Sequence, residues 1–229
     1  MNKLNKESKV YVVRYYREAL VIHYDNNIDC YTDRKGVQAF TDNSGDLHTL
    51  LALAPRIDKR SIEIIIIDPL FVNYKLKSCI NLFSGFISLE EIVGLEYLNT
   101  SEVGNMESMF LDCRNLKNLD LRGFDTSKVK NMECMFYGCK NLIDLDVSNL
   151  DTSNVRYMGN MFGFCKSLIN LNLKSFDTSN VTDVHSMFYD CEKLETINTG
   201  YKWNLSNVKK SELMFHCCHN LQNRRRLKR

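Results

Sequence analysis

The sequence predicts an α/β solenoid with a parallel β-sheet on one face and short helical turns on the other, preceded by a small α+β cap. Three observations predict it. A Met-Phe pair recurs at Met109-Phe110, Met135-Phe136, Met161-Phe162, Met187-Phe188 and Met214-Phe215, at intervals of 26, 26, 26 and 27 residues. Cysteine follows each pair in the same phase, at Cys113, Cys139, Cys165, Cys191 and Cys218. Between them runs the spacing LxxLxLxxF, as in Leu116, Leu119, Leu121, Phe124 and in Leu168, Leu171, Leu173, Phe176. One coil of this length cannot bury its own apolar face, so neighbours must stack to make a continuous core.

Residues 1–60 lack the repeat. Val10 to Tyr16 and Ala19 to Tyr24 are rich in β-branched and aromatic residues and read as strands, with Asp25-Asn26-Asn27 as a turn signal. A stretch near Asp46 to Ala54 reads as helical before Pro55. Together they are expected to cap the first coil.

The coils are expected over residues 61–221. Ile62, Ile65, Ile67 and Leu70 open the first, with Leu76, Cys79, Leu82 and Phe83 on its helical face. Leu89 and Ile92 open the second, followed by Val103, Met106, Met109 and Phe110. The best copies then carry Asp125-Thr126-Ser127, Asp151-Thr152-Ser153 and Asp177-Thr178-Ser179, whose short side-chain oxygens suit a corner and a helix N-cap. Val129, Met132, Met135 and Phe136 follow at i, i+3, i+6 and i+7, a helical spacing repeated from Val155 and Val181. Leu194 and Ile197 open the sixth coil, which closes through Val208, Met214 and Phe215. Residues 222–229 form a basic tail, a candidate nucleic-acid, nuclear-import or acidic-surface patch set against the plainer reading of a frayed end.

Composition narrows the function classes. Thirty Lys and Arg against 28 Asp and Glu give a net charge of +2, so no chain-wide basic field points to nucleic acid. Arg14, Arg17 and Glu18 interrupt the first apolar stretch, so a secretory hydrophobic region is not expected. The longest apolar run, around Ile64 to Ile67, falls far short of the ~20 residues of a membrane span. Nine cysteines, an odd number without an export signal, read as reduced thiols. Five of them stand in register as small buried hydrophobes rather than as a metal or redox ladder.

His216-Cys217-Cys218-His219 has no ligand spacing that lets four contiguous residues face one ion, so no metal is expected there. His23, His48 and His185 lack a matching nucleophile spacing, so no catalytic residues and no cofactor are expected. Period-two alternation sends the residues between the inward strand positions to the solvent face. They form columns: Asn118, Asp144, Asn170, Thr196; then Asp120, Asp146, Asn172, Asn198; then Arg122, Ser148, Lys174, Gly200. An exposed face of this kind is where such arrays take partners, although any solvated face also needs polar residues.

The segment from Leu171 to Phe188, with its Phe176-Asp-Thr-Ser-Asn-Val and Met187-Phe188, resembles the BspA-type leucine-rich repeat surface proteins. The resemblance covers about residues 61 to 221. It implies a leucine-rich-repeat-like solenoid without catalysis, displayed on a bacterial surface and adhering to a host, matrix or cell-surface protein, and no active site to carry over. The expectation is a monomeric, non-enzymatic protein-binding module with no cofactor and no transmembrane segment. A structural scaffold of variable sequence and an intracellular effector-like module are the alternatives. The family argues for the cell surface or secretion, the N-terminus for the cytoplasm or a non-classical route.

Overall fold

A computed structural model describes residues 9–15, 19–25, 38–41, 47 and 58–227. Seven strands occur among them: β1 (Lys9–Tyr15), β2 (Ala19–Asp25), β3 (Gln38–Thr41), β4 (Ile64–Ile67), β5 (Glu91–Val93), β6 (Asn170–Leu173) and β7 (Thr196–Thr199). One helical turn, α1 (Arg224–Leu227), follows them. β1 pairs antiparallel with β2 and β3, and β2 then runs parallel to β4. The order β3-β1-β2-β4-β5 therefore makes one mixed sheet from the N-terminal strands and the first two repeats. β6 and β7 form a second, two-stranded parallel sheet. Asn26, Asn27, His48 and the expected helix near Asp46 to Ala54, Leu47 excepted, lie outside the described residues.

Most apolar positions go where their spacing predicts, but Leu70, expected inward at the end of the first LxxLxLxxF segment, is 50% exposed, and Ile92, Leu119 and Val208 are half-buried. Val129, Met132, Met135, Phe136 and their equivalents from Val103, Val155 and Val181 are fully buried, as are Leu116, Leu142, Leu168 and Leu194. The Phe rings stack in one file through Phe83, Phe110, Phe136, Phe162, Phe188 and Phe215, with centroids 5.5 to 5.8 Å apart. Stacked rings at this distance add to the ordinary gain from burial.

The backbone departs from expectation at both faces. The Met-Phe segments are not helical turns; each is a succession of tight turns closed by bonds such as Met109 N to Met106 O (3.3 Å) and Leu111 N to Ser108 O (3.1 Å). Two residues per repeat, four apart, take the left-handed conformation: Ser108 and Asp112, Cys134 and Gly138, Asn160 and Phe164, Ser186 and Asp190, Leu213 and Cys217. A residue with positive φ every fourth position cannot sit in a right-handed helix.

Those turns leave every second peptide pointing along the stack. Met106, Ser108, Phe110 and Asp112 donate to the carbonyls of Asn131, Glu133, Met135 and Tyr137 at 2.7 to 2.9 Å. Met132, Cys134, Phe136 and Gly138 donate to Tyr157, Gly159, Met161 and Gly163 in the same way, and the pattern holds from Cys79 to His216. Four continuous files of hydrogen-bonded peptides thus join the repeats. All point their N–H groups in one direction.

The LxxLxLxxF segments were expected to be the strands of every coil, yet strands form there only in β4, β5, β6 and β7. In residues 117–121 and 143–147 the inward Leu121, Leu145 and Val147 are buried and Leu119 is half-buried, without strand pairing. The reason is local. Asp120 Oδ1 accepts from Arg122 N at 3.0 Å and Asp146 Oδ1 from Ser148 N at 2.9 Å, so an Asp side chain takes the amide that a neighbouring strand would use. Asp120 and Asp146 are also like charges in adjacent register, which disfavours close pairing. Where Asn172 replaces them the contact lengthens to 3.3 Å and β6 forms.

The corner triplets do more than cap. Thr100, Thr126, Thr152 and Thr178 are buried, and each hydroxyl donates to a carbonyl of the next repeat, at Asp125, Asp151, Asp177 and Asn204. Asn154, Asn180 and Asn207 donate back to the carbonyls of Ser127, Ser153 and Ser179 at 2.7 to 2.8 Å.

Candidate partner-binding face

All the column residues are exposed except Thr196 and Gly200, which are half-buried. The inward neighbours Leu121, Leu145, Val147, Leu171, Leu173 and Ile197 hold the backbone in the alternation that turns the columns outward. The structure brings five of the twelve together. Asn118, Asp120, Arg122, Asp144 and Asp146 line one shallow depression of about 360 Å³, with Glu91, Ile92, Leu119 and Leu121 completing its wall.

Arg122 makes a forked contact to Asp120, with Nη2 to Oδ2 at 2.6 Å and Nε to Oδ1 at 2.9 Å. That guanidinium, together with the Arg122 amide, holds the Asp120 carboxyl down at about 2. Asp146 is held below the ordinary carboxylate value by its hydrogen bonds from Ser148. Glu91, Asp120, Asp144 and Asp146 against the single Arg122 make the depression acidic. Asn170 accepts from Thr196 Oγ1 at 2.5 Å, a polar pair on the β6–β7 sheet away from the depression. Ser148, Asn172, Lys174 and Asn198 stand exposed on the same columns outside it.

Glu91 was not among the sequence-derived candidates, although its signal was present. It precedes the inward Ile92 by one residue, as Asn118 precedes Leu119, so the column extended one repeat further back would have included it.

The remaining candidates resolve individually. The Cys column is buried, and Cys113, Cys139, Cys165, Cys191 and Cys218 each donate to the carbonyl of Phe83, Phe110, Phe136, Phe162 or Phe188 in the preceding repeat, at 2.8 to 3.2 Å. Burial pushes the Cys79, Cys113 and Cys165 thiols up to about 12. All eight described cysteines are free. His216 and His219 are exposed while Cys218 points into the core column. His23 Nδ1 lies 3.0 Å from Asp68 Oδ2, and burial lowers its pKa. His185 Nδ1 lies 2.6 Å from Asp183 Oδ1, with Nε2 2.7 Å from Asn160 Nδ2. Among the described residues, no group of three His, Cys, Asp or Glu side chains is placed to hold a metal ion. No helix among them is long and apolar enough to cross a membrane.

The tail is ordered rather than frayed through residue 227. Asn223 Nδ2 donates to Ile197 O at 2.6 Å, Arg224 Nη2 to Cys218 O at 2.7 Å and Trp203 Nε1 to Leu227 O at 3.2 Å, with Leu227 buried.

No curated protein and no solved structure matches the chain. A family model described as "Mycoplasma protein of unknown function, DUF285" matches residues 72–145 and residues 105–226. The two matches overlap within the repeats and together span more than half of the chain, so this protein belongs to that repeat family.

Proposed function

We propose that the chain is a non-catalytic, leucine-rich-repeat-like solenoid of the BspA type that binds a protein partner through its column face. The observation that carries this reading is the acidic depression of Glu91, Asn118, Asp120, Arg122, Asp144 and Asp146, set on a row of exposed polar columns over a closed apolar core. Short polar side chains, one forked Arg-Asp pair and a shallow apolar floor of Ile92 and Leu119 suit a polypeptide surface bearing basic residues. A host, matrix or cell-surface protein is the class of partner that the BspA-type resemblance supplies. The protein acts as a monomer and uses no cofactor in this reading.

The test is capture of cell-surface extract by the full chain and by Asp144→Lys/Asp146→Lys, with mass spectrometry of what is retained. The expected outcome is a defined partner lost at least tenfold in the double variant while its thermal unfolding is unchanged. Equal capture by both proteins would sink the face as the binding site. Fractionation of the native host places the protein inside or outside the cell and decides which partners it meets.

A further inference from the structure

Among the described residues the four peptide files end at the Met214-Phe215 repeat with their donors open. In every earlier repeat the outward N–H groups are taken: Val184, Ser186, Phe188 and Asp190 donate to Lys210, Glu212, Met214 and His216 at 2.8 to 3.0 Å. The equivalent groups one repeat later belong to Ser211, Leu213, Phe215 and Cys217, and these donate to no described residue. Peptides aligned head to tail sum their dipoles, so this end carries the positive pole of four files, against one opposed file running from Lys209 through Thr182, Arg156 and Lys130 to Gly104. Fixed charge reinforces it. Residues 200–227 hold six basic side chains and one acidic, Glu212, in a chain whose net charge is only +2. Lys209, Arg225 and Arg226 are exposed at this end. Beside the open donors, Leu205, Val208, Ser211 and Met214 line a depression of about 230 Å³, and Leu213 is 57% exposed.

We propose that this terminal edge binds an acidic polypeptide segment, which adds a further rung by offering carbonyl oxygens from alternate residues to Ser211, Leu213, Phe215 and Cys217. The inference concerns a surface separate from the column face. Its occupant follows from what the edge offers. Open N–H groups on alternate residues match a peptide backbone, the mode by which a segment extends an exposed ladder. Surrounding cations select carboxylate side chains, and the Leu205–Val208–Met214 depression takes an apolar one. A second copy of this chain does not suit the edge. At the first rung Lys59 Nζ already donates to Ser84 O at 2.9 Å, Leu82 and Phe83 are fully buried, and β2 lies along β4.

The test uses the full chain and a labelled peptide of alternating leucine and aspartate, followed by fluorescence anisotropy. Binding that weakens with salt is expected. Ser211→Pro removes one open donor without breaking a bond between described residues, because Ser211 N–H has no partner among them and Lys210 is already extended in its bridge to Asp183. It should weaken the peptide roughly tenfold, the value of one well-made hydrogen bond. Lys209→Glu/Arg225→Glu leaves the backbone alone and should abolish binding, which keeps the test decisive if the proline variant misfolds. Asp144→Lys/Asp146→Lys should leave peptide affinity unchanged, separating this edge from the column face. The proposal is overturned if the acidic peptide does not bind, if a leucine-lysine peptide binds equally well, or if polyuridylate displaces the acidic peptide at lower concentration. Concentration-dependent self-association blocked by Ser211→Pro would overturn it in favour of a second copy.

Discussion

The buried hydroxyls of Thr100, Thr152 and Thr178 are each both donor and acceptor across the seam. Thr152 Oγ1 donates to Asp177 O at 3.0 Å and accepts from Asp177 N at 2.8 Å, in a buried position where water cannot substitute. Thr152→Val keeps the shape and strands both Asp177 groups, so unfolding free energy should fall by about 1–3 kcal/mol in urea titration, with Thr152→Ser restoring most of it. The cysteine column has a different signature. The Cys113 and Cys165 thiols sit at about 12 in the fold against an ordinary 9.0, so at these positions the unfolded chain releases protons first as pH rises. The stability that these two buried thiols contribute is therefore fully present below pH 9.0 and drains away between 9.0 and about 12. Replacing Cys165 by Ala should flatten that alkaline decline, as read from denaturant midpoints across the range. The Thr-Asp contacts were only half legible from the sequence. The triplet announces a corner, but which repeat its hydroxyl reaches depends on how closely the next coil packs.

At the scale of the element, the Met-Phe segment shows why burial spacing and backbone conformation are separate questions. Residues at i, i+3, i+6 and i+7 are buried as an amphipathic helix would bury them, yet Ser108, Cys134, Asn160 and Ser186 stand at φ between 52° and 57°. A tight coil with two left-handed residues returns the chain to the same face at a similar interval, so periodicity alone cannot distinguish the two. The left-handed positions are testable. Ser186 has φ 52° where Gly85 and Gly138, at the other left-handed site, are glycines. Ser186→Val should cost about 1–3 kcal/mol by forcing a β-branched residue into that region, whereas Ser186→Gly should be tolerated, both measured by thermal unfolding. The Phe file is equally exposed to test. Phe136 lies between Phe110 and Phe162, and Phe136→Ala should lose about 3–5 kcal/mol by opening a cavity at mid-array.

Across the whole molecule, the repeats are joined chiefly along the Met-Phe side, where four peptide files run unbroken, and only locally along the column side, where β4–β5 and β6–β7 pair. Hydrogen exchange should show it. Amides of Met132, Cys134, Phe136 and Gly138, in the middle of the files, should be the slowest, while those of Ser211, Leu213, Phe215 and Cys217 should exchange orders of magnitude faster. Uniform protection along the files would count against this arrangement.

Repeat length, phase and the buried Met, Phe, Leu and Cys positions were determined by the sequence by itself, because a short repeat can bury its apolar residues only against copies of itself. The polar columns and their exposure followed from the same alternation. Tertiary structure alone decided where the backbone bonds run. An Asp at position 120 or 146 binds its own amide more readily than it waits for a neighbouring strand, so the ladder passes to the turn side, where alternating right- and left-handed residues align every second peptide with the stack. The basic tail likewise reads as a loose end in one dimension. In three it folds back through Asn223, Arg224 and Leu227 beside a row of open donors, because the last repeat has no successor among the described residues to take them.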